Sequence, residues 1–89
     1  MPTISMFYGI LVSIFFEDNE RHHLPHIHAR YQGMKASVSI DDGAVLAGSI
    51  PHRQLKMLQV WIDLHKDELL ANWELAVSGE EPFRIEPLR

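Results

Sequence analysis

Residues 26–43 read HIHARYQGMKASVSIDDG. Ile27, Ala29 and Tyr31 fall on one side of this stretch, and His26, His28, Arg30 and Gln32 on the other. Beyond Gly33, the positions Met34, Ala36, Val38 and Ile40 alternate with Lys35, Ser37, Ser39 and Asp41. A side-chain period of two is the mark of a half-buried strand. Gly33 permits a turn between the two halves, and Asp42-Gly43 is a strong hairpin signal. A short strand over 44–47 follows, closed by Gly48.

Working outward toward the N-terminus, parity places Ile4, Met6, Tyr8, Ile10, Val12, Ile14 and Phe16 on one face of a single strand. Ser5, Phe7, Gly9, Leu11, Ser13, Phe15 and Glu17 take the other face, with Gly9 expected at a bulge or bend. The polar stretch 17–25, ending in Pro25, reads as a loop. The first fifty residues are therefore expected to form a four-stranded antiparallel meander.

After Pro51 the period changes. Leu55, Leu58, Ile62, His65, Leu69, Trp73 and Ala76 recur at steps of three and four, the apolar stripe of a helix. Pro51 suits the first helical turn, Gly79 a C-terminal stop, and Pro82 cannot continue the helix. One helix over 51–78 would be roughly 40 Å long, against an expected radius of gyration of roughly 12 Å. A break near residues 65–67, or a helix shared with a second subunit, is predicted. Phe83–Leu88 is a candidate edge strand, its flanking prolines suiting an edge.

The expected fold is α+β. A three- to four-stranded antiparallel sheet over residues 4–48 packs on a C-terminal helix or helix pair over 51–78, within a single domain, 1–89. Its expected core is Ile10, Val12, Ile14, Ile27, Ala29, Val38, Ile40, Leu55, Leu58, Ile62, Leu69 and Trp73.

Composition narrows the chemistry. The chain has 89 residues, 46% of them hydrophobic and 22% charged, values of an ordinary globular domain. Without cysteine it has no disulfide, thiol nucleophile or thiolate zinc site. Its net charge of −4 excludes a general basic balance. Walker, GxGxxG, HExxH and GxSxG motifs are absent. The apolar run 6–16 is shorter than the roughly 20 residues of a membrane span, and no Lys or Arg precedes Arg21 as a secretory signal would want. A cytoplasmic protein is expected.

The local exception is the window 21–40, which carries Arg21, His22, His23, His26, His28, Arg30 and Lys35 and no acidic residue. On a strand, His26, His28 and Arg30 share a face, about 6.5–7 Å apart. Three chemistries suit them. His26 and His28 can exchange protons with a phosphodiester, as candidate catalytic residues of a ribonuclease or other phosphodiesterase, while Arg30 or Lys35 stabilises phosphate charge. His22, His23, His26 and His28 can instead hold zinc or another divalent transition metal. The same face can also bind RNA or an acidic partner without catalysis, through Arg30 and Lys35. His52 and Arg53, with Lys56, add candidate anion contacts at the helix start. His65, within the apolar stripe, reads as a packed, hydrogen-bonded residue.

Several segments together resemble domain-of-unknown-function family 4160, a group of small bacterial proteins. They are Met1–Ser5 with Phe7 and Gly9; Pro25-His26-Ile27-His28-Ala29; Gly48, Pro51 and Arg53; and Trp61, Leu64-His65, Glu68-Leu69 and Asn72-Trp73. The resemblance implies a bacterial cytoplasmic protein encoded beside a second small protein, in a two-gene arrangement like that of a toxin–antitoxin pair. A protein partner encoded nearby is thus expected. The long helix and an open sheet edge add a homodimer to the expected partners.

Six histidines would carry the chain from −4 to +2 if all were protonated. Free imidazole titrates near pH 6.5. Affinity for RNA or an acidic partner is therefore expected to rise between about pH 7.5 and 5.5, whereas metal binding would weaken over the same range.

Overall fold

The computed structural model describes residues 2–16 and 24–89. Five strands, β1 (Thr3–Phe7), β2 (Ile10–Ser13), β3 (His26–Tyr31), β4 (Met34–Ser39) and β5 (Val45–Gly48), precede two helices, α1 (His52–Leu64) and α2 (Lys66–Val77). The strands form one antiparallel meander in the order β1-β2-β3-β4-β5. The class is α+β, as expected, but with five strands instead of three or four.

The extra strand comes from the N-terminal run, which folds back on itself. Tyr8 and Gly9 both take positive φ, 48° and 79°, between the paired residues Phe7 and Ile10. Two left-handed residues in succession make the tight turn whose twist matches antiparallel strands. The left-handed region costs a non-glycine residue about 1–2 kcal/mol, so Gly9 relieves half of that strain. A side chain on Gly9 would also crowd the Tyr31 ring, which lies 3.1 Å from the ideal Cβ position. The register shifts between Thr3 and Ser5, breaking the parity read from the sequence. Phe7 turns inward while Met6 is 60% exposed.

The hairpin after β4 forms at the expected place. Gly43 has φ 74° and its N–H reaches the Ser39 carbonyl at 3.0 Å. Asp42 Oδ1 accepts the Ala44 N–H at 3.0 Å, and this bond holds the Asp42 carboxyl below its ordinary pKa. At the end of β5, Gly48 has φ 73° and a Cβ there would run into the Lys35 carbonyl oxygen, so β4 and β5 close only around glycine.

The helical segment breaks at His65, inside the predicted interval. With φ −117° and ψ 26°, His65 ends α1 and starts α2. Its N–H bonds the Trp61 carbonyl at 3.0 Å and its carbonyl accepts from Leu69 N at 2.9 Å. Its Nδ1 meets Glu68 Oε1 at 2.7 Å. The break keeps the domain to 33 × 26 × 22 Å, with a radius of gyration of 11.7 Å. Helix α2 stops at Gly79, where Gly79 N reaches the Ala76 carbonyl and Glu80 N the Leu75 carbonyl, a Schellman closure.

Phe83–Leu88 does not form the edge strand considered above. One backbone bond, Ile85 N to the Ile4 carbonyl at 2.8 Å, joins it to β1. Side chains secure the rest. Asn72, fully buried, donates to the Phe83 carbonyl and accepts from the Phe83 N–H, and Trp61 Nε1 donates to the Glu86 carbonyl at 2.8 Å. All twelve expected core residues meet in one cluster, with Leu55 at its margin; Ile4, Phe7, Ala36, Ile50, Trp61 and Ile85 complete it.

Candidate nucleic-acid interface

Cross-strand register organises the sheet face turned away from the Ile27 and Ala29 side chains. Ser13 pairs with His28, His28 with Ser37 and Ser37 with Ala47, giving a hydroxyl–imidazole–hydroxyl row that ends on a methyl group. In the next row Met6 pairs with Leu11, Leu11 with Arg30 and Arg30 with Lys35. The rows are two residues apart, about 6.5–7 Å. One row is short and the other long, so the face is hollow. The cavity measures about 310 Å³ and is bounded by Ser13, Phe15, His28, Arg30, Lys35 and Ser37, with Ala47 and Gly48 on the β5 side.

Arg30 and Lys35 stand directly opposite each other and are both exposed. Neither is ion-paired with an acidic side chain among the described residues. Like charges in register destabilise a strand pair. An anion placed between them would remove that repulsion.

His28 is half-buried at the hollow's wall. The Phe15 ring stacks on its imidazole, with centroids 4.0 Å apart and planes 10° from parallel. Ser37 Oγ lies 3.4 Å from His28 Nδ1.

His26 and His28 do come together, their ring centroids 5.0 Å apart, but only His28 borders the hollow. His26 is fully buried, with its ring 5.0 Å from that of Trp73 on α2. Its Nδ1 lies 2.6 Å from the Leu24 carbonyl, which can only accept, so the hydrogen is on Nδ1. This arrangement orients the start of β3 and fixes the ring beside His28.

His52 and Arg53 are exposed on the first turn of α1, outside the residues bounding the hollow. His22 and His23 lie outside the described residues, within which no group of three or more His, Asp or Glu is arranged to hold a metal ion. No helix among the described residues is long and apolar enough to cross a membrane.

Sequence reading did not single out Ser13, Phe15 or Ser37 for a site. A usable signal was present for Ser37: a two-residue turn at Gln32-Gly33 forces Arg30 onto Lys35 and His28 onto Ser37. Ser13 and Phe15 depend on the β2–β3 register, which the twelve residues between Ser13 and His26 leave unspecified in sequence.

The fold and face define a small α+β domain built on a five-stranded meander, with a cationic, hydroxyl-floored hollow on the sheet face opposite Ile27 and Ala29. Residues 9–74 match the family described as Domain of unknown function (DUF4160), and the chain belongs to that family. The match runs from the Tyr8-Gly9 turn into α2 and so contains every residue bounding the hollow. No curated protein and no solved structure matches the chain.

Proposed function

We propose that this protein is a small interaction module whose open sheet face contacts RNA through its phosphates. It works as one member of a toxin–antitoxin-like pair with a protein encoded nearby. The observation that carries the RNA contact is the opposed Arg30–Lys35 pair, unneutralised among the described residues and set beside a hydroxyl-lined hollow. Phosphate oxygens satisfy such a pair, and arginine and serine are ordinary donors to them. The aromatic wall of Phe15 and His28 favours a nucleic acid over a purely acidic protein surface, because bases stack and carboxylates do not.

A titration of fluorescein-labelled 12-nucleotide RNA tests this reading. Affinity is expected to fall about two- to threefold between 50 and 200 mM salt, as release of counterions from one phosphate on a single strand requires. Binding that is absent at 50 mM salt, or unchanged by salt, contradicts it.

The pairing rests on family membership and size. Co-expression with the neighbouring gene product should give one joint peak on size exclusion; two separate peaks at micromolar concentration refute it. A second copy of the chain is the other candidate partner, and β5 is where it would add. This uncharged strand, Val45–Gly48, has no neighbour on its outer side among the described residues.

A ribonuclease is the alternative reading. One observation favours it: His28 shares the hollow with Arg30 and Lys35 and has Ser37 Oγ at hand. Burial of His26 removes support from a mechanism in which both imidazoles meet the substrate. A metal site on His22, His23, His26 and His28 draws no support from the described residues.

A further inference from the structure

We infer that the hollow takes one nucleotide of single-stranded RNA, with its base against the Phe15–His28 wall and its phosphate on Arg30 and Lys35. This rests on the RNA reading above and specifies which form of RNA the face selects.

Size is the first argument. A volume of about 310 Å³ lies at the small end of ligand pockets and is of the order of a single mononucleotide unit. Shape is the second. The floor is recessed because Ser13, Ser37 and Ala47 are short, while Arg30 and Lys35 stand at its rim. A base must leave its stack to enter. In duplex RNA the bases remain paired and stacked inside the helix, and the major groove is too narrow for side chains to read. A duplex can therefore offer only its phosphates to Arg30 and Lys35.

Position is the third argument. Phe15 and His28 stack on each other, 4.0 Å apart, so a base adds to the outside of this fixed pair and does not enter between the rings. Arg30 follows His28 on the same face by two residues, about 6.5–7 Å, a spacing of the order of that from a base to its own phosphate. Ser37 and Ser13 hydroxyls line the floor between them, able to donate to or accept from base edges and ribose hydroxyls.

The test compares one 12-nucleotide RNA, single-stranded and annealed to its complement, by anisotropy at fixed salt. Wild type is expected to bind the single strand at least tenfold more tightly. Phe15→Leu removes the ring, and Ser37→Leu fills the floor beside His28 while keeping both rings of the wall. Each is expected to lower single-strand affinity about tenfold, in line with the loss of one base stack, and to leave duplex affinity unchanged. Equal wild-type affinity for the two forms, with salt dependence retained, overturns this inference and leaves the phosphate contact standing. Absence of binding to either form overturns both. The wild-type comparison decides the matter even if a variant fails to fold.

Discussion

Replacing Arg30 and Lys35 together by alanine should weaken RNA binding by more than a hundredfold and leave the fold intact. Each cation supplies a charge-assisted hydrogen bond worth about 1.5–3 kcal/mol. Two lost bonds are about 3–6 kcal/mol, and each 1.4 kcal/mol is a factor of ten. The fold is insensitive because both side chains are exposed and stand outside the apolar cluster. Removing the opposed pair should even raise the melting temperature slightly, since like charges in register repel. Thermal melting beside the binding titration checks both halves. A variant that melts well below wild type, or that binds RNA as well as wild type does, contradicts this account of the face.

The largest stability effect is expected at Trp61. Its side chain is fully buried and joins three parts of the chain. The ring lies 5.2 Å from Phe7 of β1 and 5.6 Å from His65 at the helix break, and its Nε1 holds the Glu86 carbonyl at 2.8 Å. Trp61→Ala should cost about 3–5 kcal/mol. The whole stability of a domain this size is about 4–13 kcal/mol, so the variant should be marginal. At about 4–8 °C per kcal/mol, its melting temperature should drop by more than about 12 °C in a calorimetric scan. A drop under about 4 °C would show that Trp61 does not link α1, β1 and the C-terminal segment. Trp61→Phe narrows the contributions, since it keeps a ring beside Phe7 but loses the indole donor to Glu86 and part of the buried ring volume.

The elements most legible in sequence were those governed by local chemistry. Strict alternation from Ile27 to Ile40 gave the β3–β4 pair, and the 3.6-residue stripe from Leu55 to Trp73 gave the helices. The break at His65 followed from length alone, because an unbroken helix would overhang so small a domain. The N-terminal run misled because Tyr8 stands where asparagine or aspartate usually announces a two-residue turn. Its large apolar side chain also preserved the alternation across the turn. The register shift between Thr3 and Ser5 then undid the parity of Ile4 and Met6.

The site was partly legible in the same way. His28, Arg30 and Lys35 share a face because strand parity places them there. The burial of His26 was not readable, since it depends on Trp73 arriving from α2, forty-seven residues further along the chain. Nor was the hollow, which arises from short side chains on β2, β4 and β5 brought beside β3 by long-range pairing.

The measurement that bears most directly on the central claim is the salt dependence of RNA affinity, for wild type and for the Arg30→Ala/Lys35→Ala variant. For single-stranded nucleic acid the slope of log K against log salt is about −0.7 per phosphate neutralised. If Arg30 and Lys35 together hold one phosphate, the variant's slope should be shallower than that of wild type by about 0.7. Equal slopes in the two proteins would place the phosphate contacts elsewhere and contradict the assignment of this face.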